Sequence, residues 1–308
     1  MTARKEPDSK AIFIMLILCA LWGSQQVLIK IIADLMTPIM QMMIRCTLGA
    51  MLVGAMILWQ RKGRELLRVP RWPALGVGFL FGLEFFFTGE ALRYTSAAHV
   101  SIFLYTAPIF TALGLHWKMP EERMNLMQAA GICVAFLGVA VTFLGKHHGA
   151  AQIYPLGWLG DLLGVLAGAS WAMTILVLRF SALSTASASV SLFCHLSGAA
   201  VFLAVMTILL GQTSAHYTPM LLADLGFQTL FISFGSFLAW LALLRVYLAS
   251  RLGTLSFMTP VFGIAAGVIV LHDHLDPAFI LGAGMIVLGI ILVNGQALLS
   301  RRRLRAAA

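Results

Sequence analysis

Apolar residues run along this chain in ten stretches of roughly twenty, separated by short polar connectors. The stretches lie at approximately 11–33, 38–59, 74–93, 96–117, 126–144, 157–179, 188–209, 222–244, 250–271 and 277–298. At 1.5 Å per residue, about 20 helical residues cross about 30 Å of hydrocarbon, so each stretch predicts one transmembrane helix. No long alternating pattern supports a β-barrel. Because lipid offers the backbone no hydrogen-bond partner, the predicted fold class is an all-α integral membrane bundle.

The punctuation of these stretches repeats. Trp22 and Lys30 recur as Trp171 and Arg179, and Gly131 and Gly138 as Gly282 and Gly289. Between them, Arg93, Tyr105, Pro108 and Phe110 recur as Arg245, Phe257, Pro260 and Phe262. A unit with an odd number of spans inserts its second copy upside down. The chain therefore divides into an N-terminal segment 1–10, a five-helix repeat 11–144, an inverted five-helix repeat 157–298 and a basic tail 299–308. Inverted repeats point to secondary transport, with the solute site between the halves near the bilayer midplane.

Composition agrees with a membrane chain. The 308 residues are 60% hydrophobic and 11% charged, against about 45–50% and about 25% in soluble domains. The net charge of +9 does not imply nucleic acid, because the basic residues occupy connectors and ends rather than one face. Their distribution instead orients the chain. Arg4, Lys5 and Lys10, then Arg61, Lys62, Arg64, Arg68 and Arg71, then Lys118, Arg123, Arg179, Arg245, Arg251 and the arginines of the tail all fall on one side. Arg93 and Lys146 fall on the other, so the positive-inside rule puts both termini in the cytoplasm. The basic N-terminus before an apolar run imitates a signal peptide, but the run is too long and lacks a small-x-small site, so it reads as a retained span. Cys19, Cys46, Cys133 and Cys194 lie far apart inside apolar stretches and read as packing residues. No connector is long enough for a catalytic module, and no Walker-type glycine loop is present, so neither a cofactor nor an ATP motor is expected.

Charges inside the spans are the candidate chemistry, since each costs about 2.5–3.5 kcal/mol or more in lipid. Arg45 lies in the second span, Glu84 near the centre of the third, and Glu90 about two turns beyond it. Six residues apart, the two glutamates point to opposite faces. Arg45 and one carboxylate can pair between helices 2 and 3, with Glu90 the preferred partner and Glu84 left as a proton carrier. The pair either sets helix register or lines a water-filled pathway. Lys30 and Arg179 read as snorkelling anchors, Asp161 and Asp224 as interfacial, and His195 as a polar contact or a packing histidine.

Pro108 and Pro260 sit mid-span in matched helices and free the carbonyls of Leu104 and Ser256, which can face a solute. One of Gln25 and Gln26 should face a cavity. Trp22, Tyr105, Trp171 and Phe257 can stack against a planar solute, or simply pack. Gly78/Gly82, Gly160/Gly164/Gly168 and Gly263/Gly267 give close-packing faces. The glycines of spans 5 and 10 give a smooth face suited to lipid or to a second copy of the chain, that is, a homodimer.

Several of these segments together resemble the EamA-type family of the drug/metabolite transporter superfamily. They are LWGSQQVLIK (21–30), MMIRCTLGAML (42–52), ALRYTSAAHVSIFLYTAPIF (91–110), GDLLGVLAGASWAM (160–173) and SFMTPVFGIAAG (256–267). The resemblance spans residues 11 to 298. It implies ten helices with both termini inside and export of metabolites, often amino acids or related compounds. One departure stands out: His272-Asp273-His274 replaces the Gly-Glu turn often found after the ninth span. The expected protein is a multi-pass secondary transporter of the cytoplasmic (inner) membrane. It would export a small metabolite or toxic analogue by alternating access, with proton coupling open. A passive facilitator or channel is the alternative, and an integral-membrane enzyme a more distant one.

Overall fold

The computed structural model describes residues 7–118, 126–144, 154–247, 252, 255–256 and 258–306. Its helices are α1 (Ser9–Ile31), α2 (Pro38–Trp59), the short α3 (Gly63–Leu67), α4 (Arg71–Tyr94), α5 (Ala97–Leu104) and α6 (Ala107–Lys118). They continue with α7 (Leu126–Leu144), α8 (Gly157–Phe180), α9 (Ala188–Leu209), α10 (Pro219–Phe227), α11 (Phe237–Val246), α12 (Met258–Leu271) and α13 (Pro277–Ala306). Among the described residues, no β-strand accompanies them beyond one isolated bridge between Met36 and Ala215. Among the described residues, eight helical stretches are long and apolar enough to cross a bilayer, and Met258–Leu271 and Pro277–Val293 are shorter apolar helices.

Local chemistry starts these helices where the apolar runs begin. Asp8 Oδ1 accepts from Ala11 N at 2.8 Å at the head of α1, and Ser96 Oγ accepts from His99 N at 3.2 Å at the head of α5. Each satisfies a first-turn N–H that has no carbonyl of its own helix to bond. Pro38 and Pro219 open α2 and α10, where a fixed φ costs nothing and a missing N–H is not needed.

Two departures from simple crossings lie inside the spans. The fourth is broken: α5 ends at Leu104, and α6 resumes at Ala107 after Tyr105 and Thr106. Pro108 lacks the N–H that would reach Leu104 O, and Thr106 Oγ1 caps the broken end by donating to Phe103 O at 2.7 Å. The eighth runs from α10 to α11 through a nine-residue π-helix, Gln228–Ser236, which no periodicity in the sequence announced.

Lys30, in the last turn of α1, donates from Nζ to Tyr154 Oη at 2.9 Å just before α8 begins. Further contacts join distant segments at the end where α1 starts. There, Glu65 Oε1 accepts from Ser187 N at 2.6 Å and Tyr247 Oη donates to Asp8 Oδ2 at 2.9 Å. That backbone N–H holds the Glu65 carboxyl below its ordinary range.

Glycine lets the helices touch. A Cβ on Gly78 would sit 2.7 Å from Gly198 Cα, which joins α4 to α9, and one on Gly164 would sit 2.9 Å from Phe103 Cβ, which joins α8 to α5. In lipid the hydrophobic effect does not drive helices together, so such backbone approach supplies dispersion contact that larger residues would prevent. The glycine faces of spans 5 and 10 meet each other: a Cβ on Gly138 would lie 2.6 Å from Gly282 O. The faces read as suited to lipid or a second copy are thus consumed within the chain.

His272 takes φ 54°, a left-handed conformation that strains a residue with a Cβ. It occupies the turn in which the sequence departs from Gly-Glu. His272→Gly is expected to stabilise the protein by about 1 kcal/mol and to raise its thermal midpoint in detergent. An unchanged or lower midpoint would show that the histidine ring contributes more than the strain costs.

Candidate functional site

A cavity of about 380 Å³ opens at the end of the bundle that carries Asp8, beside the turn Ala182–Thr185. Phe81, Trp171, His195, Phe237 and Trp240 form much of its wall. His195 Nδ1 lies 2.6 Å from Ser191 O, and the ring meets Phe81 edge-on at 5.4 Å. Tyr105 is buried behind Trp171, edge-on at 5.3 Å. Trp22 packs instead against Phe237 at 6.2 Å and Trp240 at 5.8 Å, and its indole N–H donates to Ser236 Oγ at 2.8 Å. The expected single stack therefore divides into two aromatic groups. Phe257 lies outside the described residues.

Behind Phe81 the wall becomes polar. Phe81 contacts Phe85 at 4.5 Å, and the Arg45 guanidinium lies over the Phe85 ring at 4.8 Å. Arg45 is 1% exposed and donates to Gln228 Oε1 at 3.2 Å, and Gln228 Nε2 donates to Asp224 Oδ2 at 2.5 Å. The pairing with Glu90 is not what forms. Glu90 binds Arg93 at 2.9 Å, one turn along its own helix, and accepts from Gln212 at 2.8 Å. The six-residue spacing that separates the two glutamates also turns Glu90 away from Arg45. Glu84 remains near Arg45 electrostatically, yet its Oε2 and the Arg45 Nε are both buried without a hydrogen-bond partner. Asp224, expected at the interface with water, is instead half-buried and reaches Arg45 through Gln228.

Toward the opposite end of the bundle a buried polar cluster joins the helices. Asp161 is fully buried, with Thr95 Oγ1 donating to it at 2.8 Å and His99 Nδ1 at 2.9 Å from Oδ1. His99 stacks on Phe279 at 4.1 Å. Lys30 Nζ donates to Thr95 O as well as to Tyr154, so the expected snorkelling anchor is an internal strut. Asp273 Oδ2 accepts from Ala98 N at 3.0 Å, which brings the loop after α12 onto the head of α5. Asp161 was expected to be interfacial because it lies near the outer end of its span. His99 was not singled out, because nothing in the sequence announces that α5 and α8 meet there.

The freed proline carbonyls do not face a cavity. Leu104 O lies 2.9 Å from where a Cβ on Gly168 would be, pressed against α8, and Ser256 O accepts from Thr259 N at 3.0 Å before Pro260. Gln25 is half-buried. The buried Gln26 amide, oriented with its nitrogen toward the backbone, donates to Gly23 O and Trp22 O at 3.2 and 3.3 Å. Among the described residues no cluster of His, Cys, Asp or Glu could hold a metal ion.

The profile of the EamA-like transporter family matches residues 9–144 and again residues 158–295. An uncharacterized transporter of Bacillus subtilis is 24% identical over 94% of this chain and 92% of its own length. A probable amino-acid metabolite efflux pump of Escherichia coli is 27% identical over 90% of this chain and 92% of its own. A solved crystal structure superposes with a TM-score of 0.64 at 23% identity, covering 96% of this chain and 98% of its own, a likeness of fold.

Because Arg45 depends on Gln228 and not on Glu90, the two partners are experimentally separable. Gln228→Leu is expected to cost about 2 kcal/mol, the loss of a buried hydrogen bond to a charge, and to lower the thermal midpoint. Glu90→Gln, which leaves Arg45 untouched, should shift it far less. Equal shifts would mean that Gln228 does not hold the guanidinium.

Proposed function

The chain belongs to the EamA-like transporter family, and from that premise we propose that it exports a small metabolite of the amino-acid class by alternating access. It is a multi-pass protein of the cell membrane and a transporter rather than an enzyme. In our reading the chain crosses ten times, as inverted halves 11–144 and 157–298 with both termini cytoplasmic. The separate family matches to the two halves and the one-sided basic connectors support this.

The observation that supports this mechanism is a cavity toward the Asp8 end and a buried polar cluster, Thr95–Asp161–His99, toward the other. With the Asp8 end in the cytoplasm, a solute enters between Trp171, His195 and Phe81, where aromatic faces accept apolar groups and the histidine offers a polar one. Release requires the Lys30–Thr95–Asp161–His99 cluster to separate while the inner walls close. Gly263 and Gly267 of α12, which sit against Ser101 and Ala98 of α5, supply the smooth contact along which that separation runs. The amino-acid class is supported by the efflux-pump name of the Escherichia coli relative. Glu84, buried beside the aromatic wall with one carboxyl oxygen unpartnered, is the group we propose to carry a coupling proton.

The test is counterflow in proteoliposomes with a panel of labelled amino acids. Exchange of a labelled solute against an unlabelled one marks a carrier, whereas uptake without acceleration by the opposing solute would favour a passive pore. Trp171→Ala should reduce exchange at least tenfold, consistent with about 1.4 kcal/mol lost from solute contact. Glu84→Gln should exchange solute but no longer respond to an imposed pH gradient. A retained response would remove Glu84 from the coupling step.

A further inference from the structure

The repeat-related helices match in backbone detail. α2 and α9 are each 22 residues long and close with the same turn. Gln60 N reaches Met56 O at 2.9 Å and Leu210 N reaches Met206 O at 3.0 Å. Lys62 N to Ile57 O at 3.0 Å matches Gln212 N to Thr207 O at 2.9 Å, and Arg61 and Gly211 both turn left-handed, at φ 56° and 64°. This register equates Ser191 with Gln41 and His195 with Arg45. α4 and α11 end alike, in Thr95 N to Ala91 O at 2.9 Å and Tyr247 N to Leu243 O at 2.8 Å, which equates Phe81 with Ser233 and Phe237 with Phe85. The matched tryptophans equate Trp171, Thr174 and Ile175 with Trp22, Gln25 and Gln26.

Transferred through this register, the polar wall of the open cavity becomes Gln25, Gln26, Gln41, Arg45 and Ser233, beside Trp22, Met42 and Phe85. Along α2 and α9 the environments are inverted. Ser191 and His195 are half-buried along the cavity, whereas Gln41 and Arg45 are each 1% exposed. Within this shut region, Gln41 Oε1 and Arg45 Nε have no hydrogen-bond partner. Such groups cost more in a closed core than apolar residues of the same size. In a transporter with two inverted halves, they acquire a use if each half adopts the conformation of the other during the cycle.

We propose that these residues form a second vestibule at the opposite end, opened when the halves exchange conformations, in which Arg45 holds a carboxylate-like oxyanion of the departing solute. This rests on the alternating-access reading and adds to it the exit site and its chemistry. The entrance is aromatic with a single histidine, and the exit is lined by amides and a guanidinium. Neither Glu84 nor Asp224 forms an ion pair with the guanidinium; Asp224 reaches it only through Gln228. Gln41 lies one helical turn from Arg45, so a group at that position samples the field of the cation.

Thiol labelling tests the proposal in cells that express the full chain. The probes are two membrane-impermeant methanethiosulfonates, one carrying a sulfonate and one a trimethylammonium, with the parent chain as background. Gln41→Cys and the near-isosteric Ser233→Cys should react from outside during export, and Ser191→Cys from the cytosolic face in inverted vesicles. Normalised to a free thiol, the sulfonate reagent should modify Gln41→Cys about tenfold faster than the cationic one. Adding Arg45→Gln should abolish that preference and adding Arg45→Lys should keep it. An exporting Ser233→Cys or Gln41→Cys that stays silent from outside would overturn the vestibule while leaving alternating access on other surfaces. Reaction without a charge preference would overturn the oxyanion assignment. Modification of Ser191→Cys from outside would mean a continuous pore, and the alternating-access reading itself would fall.

Discussion

Within the hydrocarbon layer a polar group has no partner except the protein, and this constraint decides where every polar side chain of the bundle sits. Leu58, Met51, Val201 and Ile269 face outward and are exposed to lipid. The charges gather along the seam between the halves: Asp161 with His99 and Thr95 at one level, Arg45 with Gln228 and Asp224 at another. If, as we propose, the seam parts for a solute to pass, the groups that hold the bundle together are the groups that transport rearranges.

The closing turns of α2 and α9 match in backbone, but the side chains of the two helices do not. His195 and Arg45 occupy equivalent turns of α9 and α2, yet one borders open space and the other is locked in the core. Phe85 and Phe237 keep an aromatic at the same place in both halves, one under the Arg45 guanidinium and the other against Trp22. The π-helix lies only on the α10–α11 side, and its ends carry Gln228, which holds Arg45, and Ser236, which accepts from Trp22. A widened turn adds one residue per helical circuit relative to ideal spacing and so re-aims side chains that a regular helix would point elsewhere.

Glycine contacts make the seam movable. Where Gly78 meets Gly198, or Gly263 meets Ser101, the surfaces touch through backbone rather than interlocking side chains. Such a contact slides at low cost, whereas interdigitated leucines must change rotamers. These contacts lie on the main interfaces of the bundle, since most helix packing runs between the two halves: α7 on α13, α8 on α4, and α9 on α2 and α4.

The sequence by itself determined the membrane setting and the all-helical class, because apolar run length is written in local order. It also named Trp171 and His195 among its candidates, and both border the cavity. It could not choose partners. Lys30 read as an anchor and Asp161 as interfacial because both lie near span ends, where water is the default neighbour. Only the approach of α1, α4, α5 and α8 turned them into a buried cluster. Glu90 looked like the partner of Arg45 until Arg93 and Gln212 reached it first. Periodicity reports which face of a helix is apolar, but which helices meet, and at what height, is settled by glycine-mediated approach between segments far apart in the chain, and that only the tertiary structure decided.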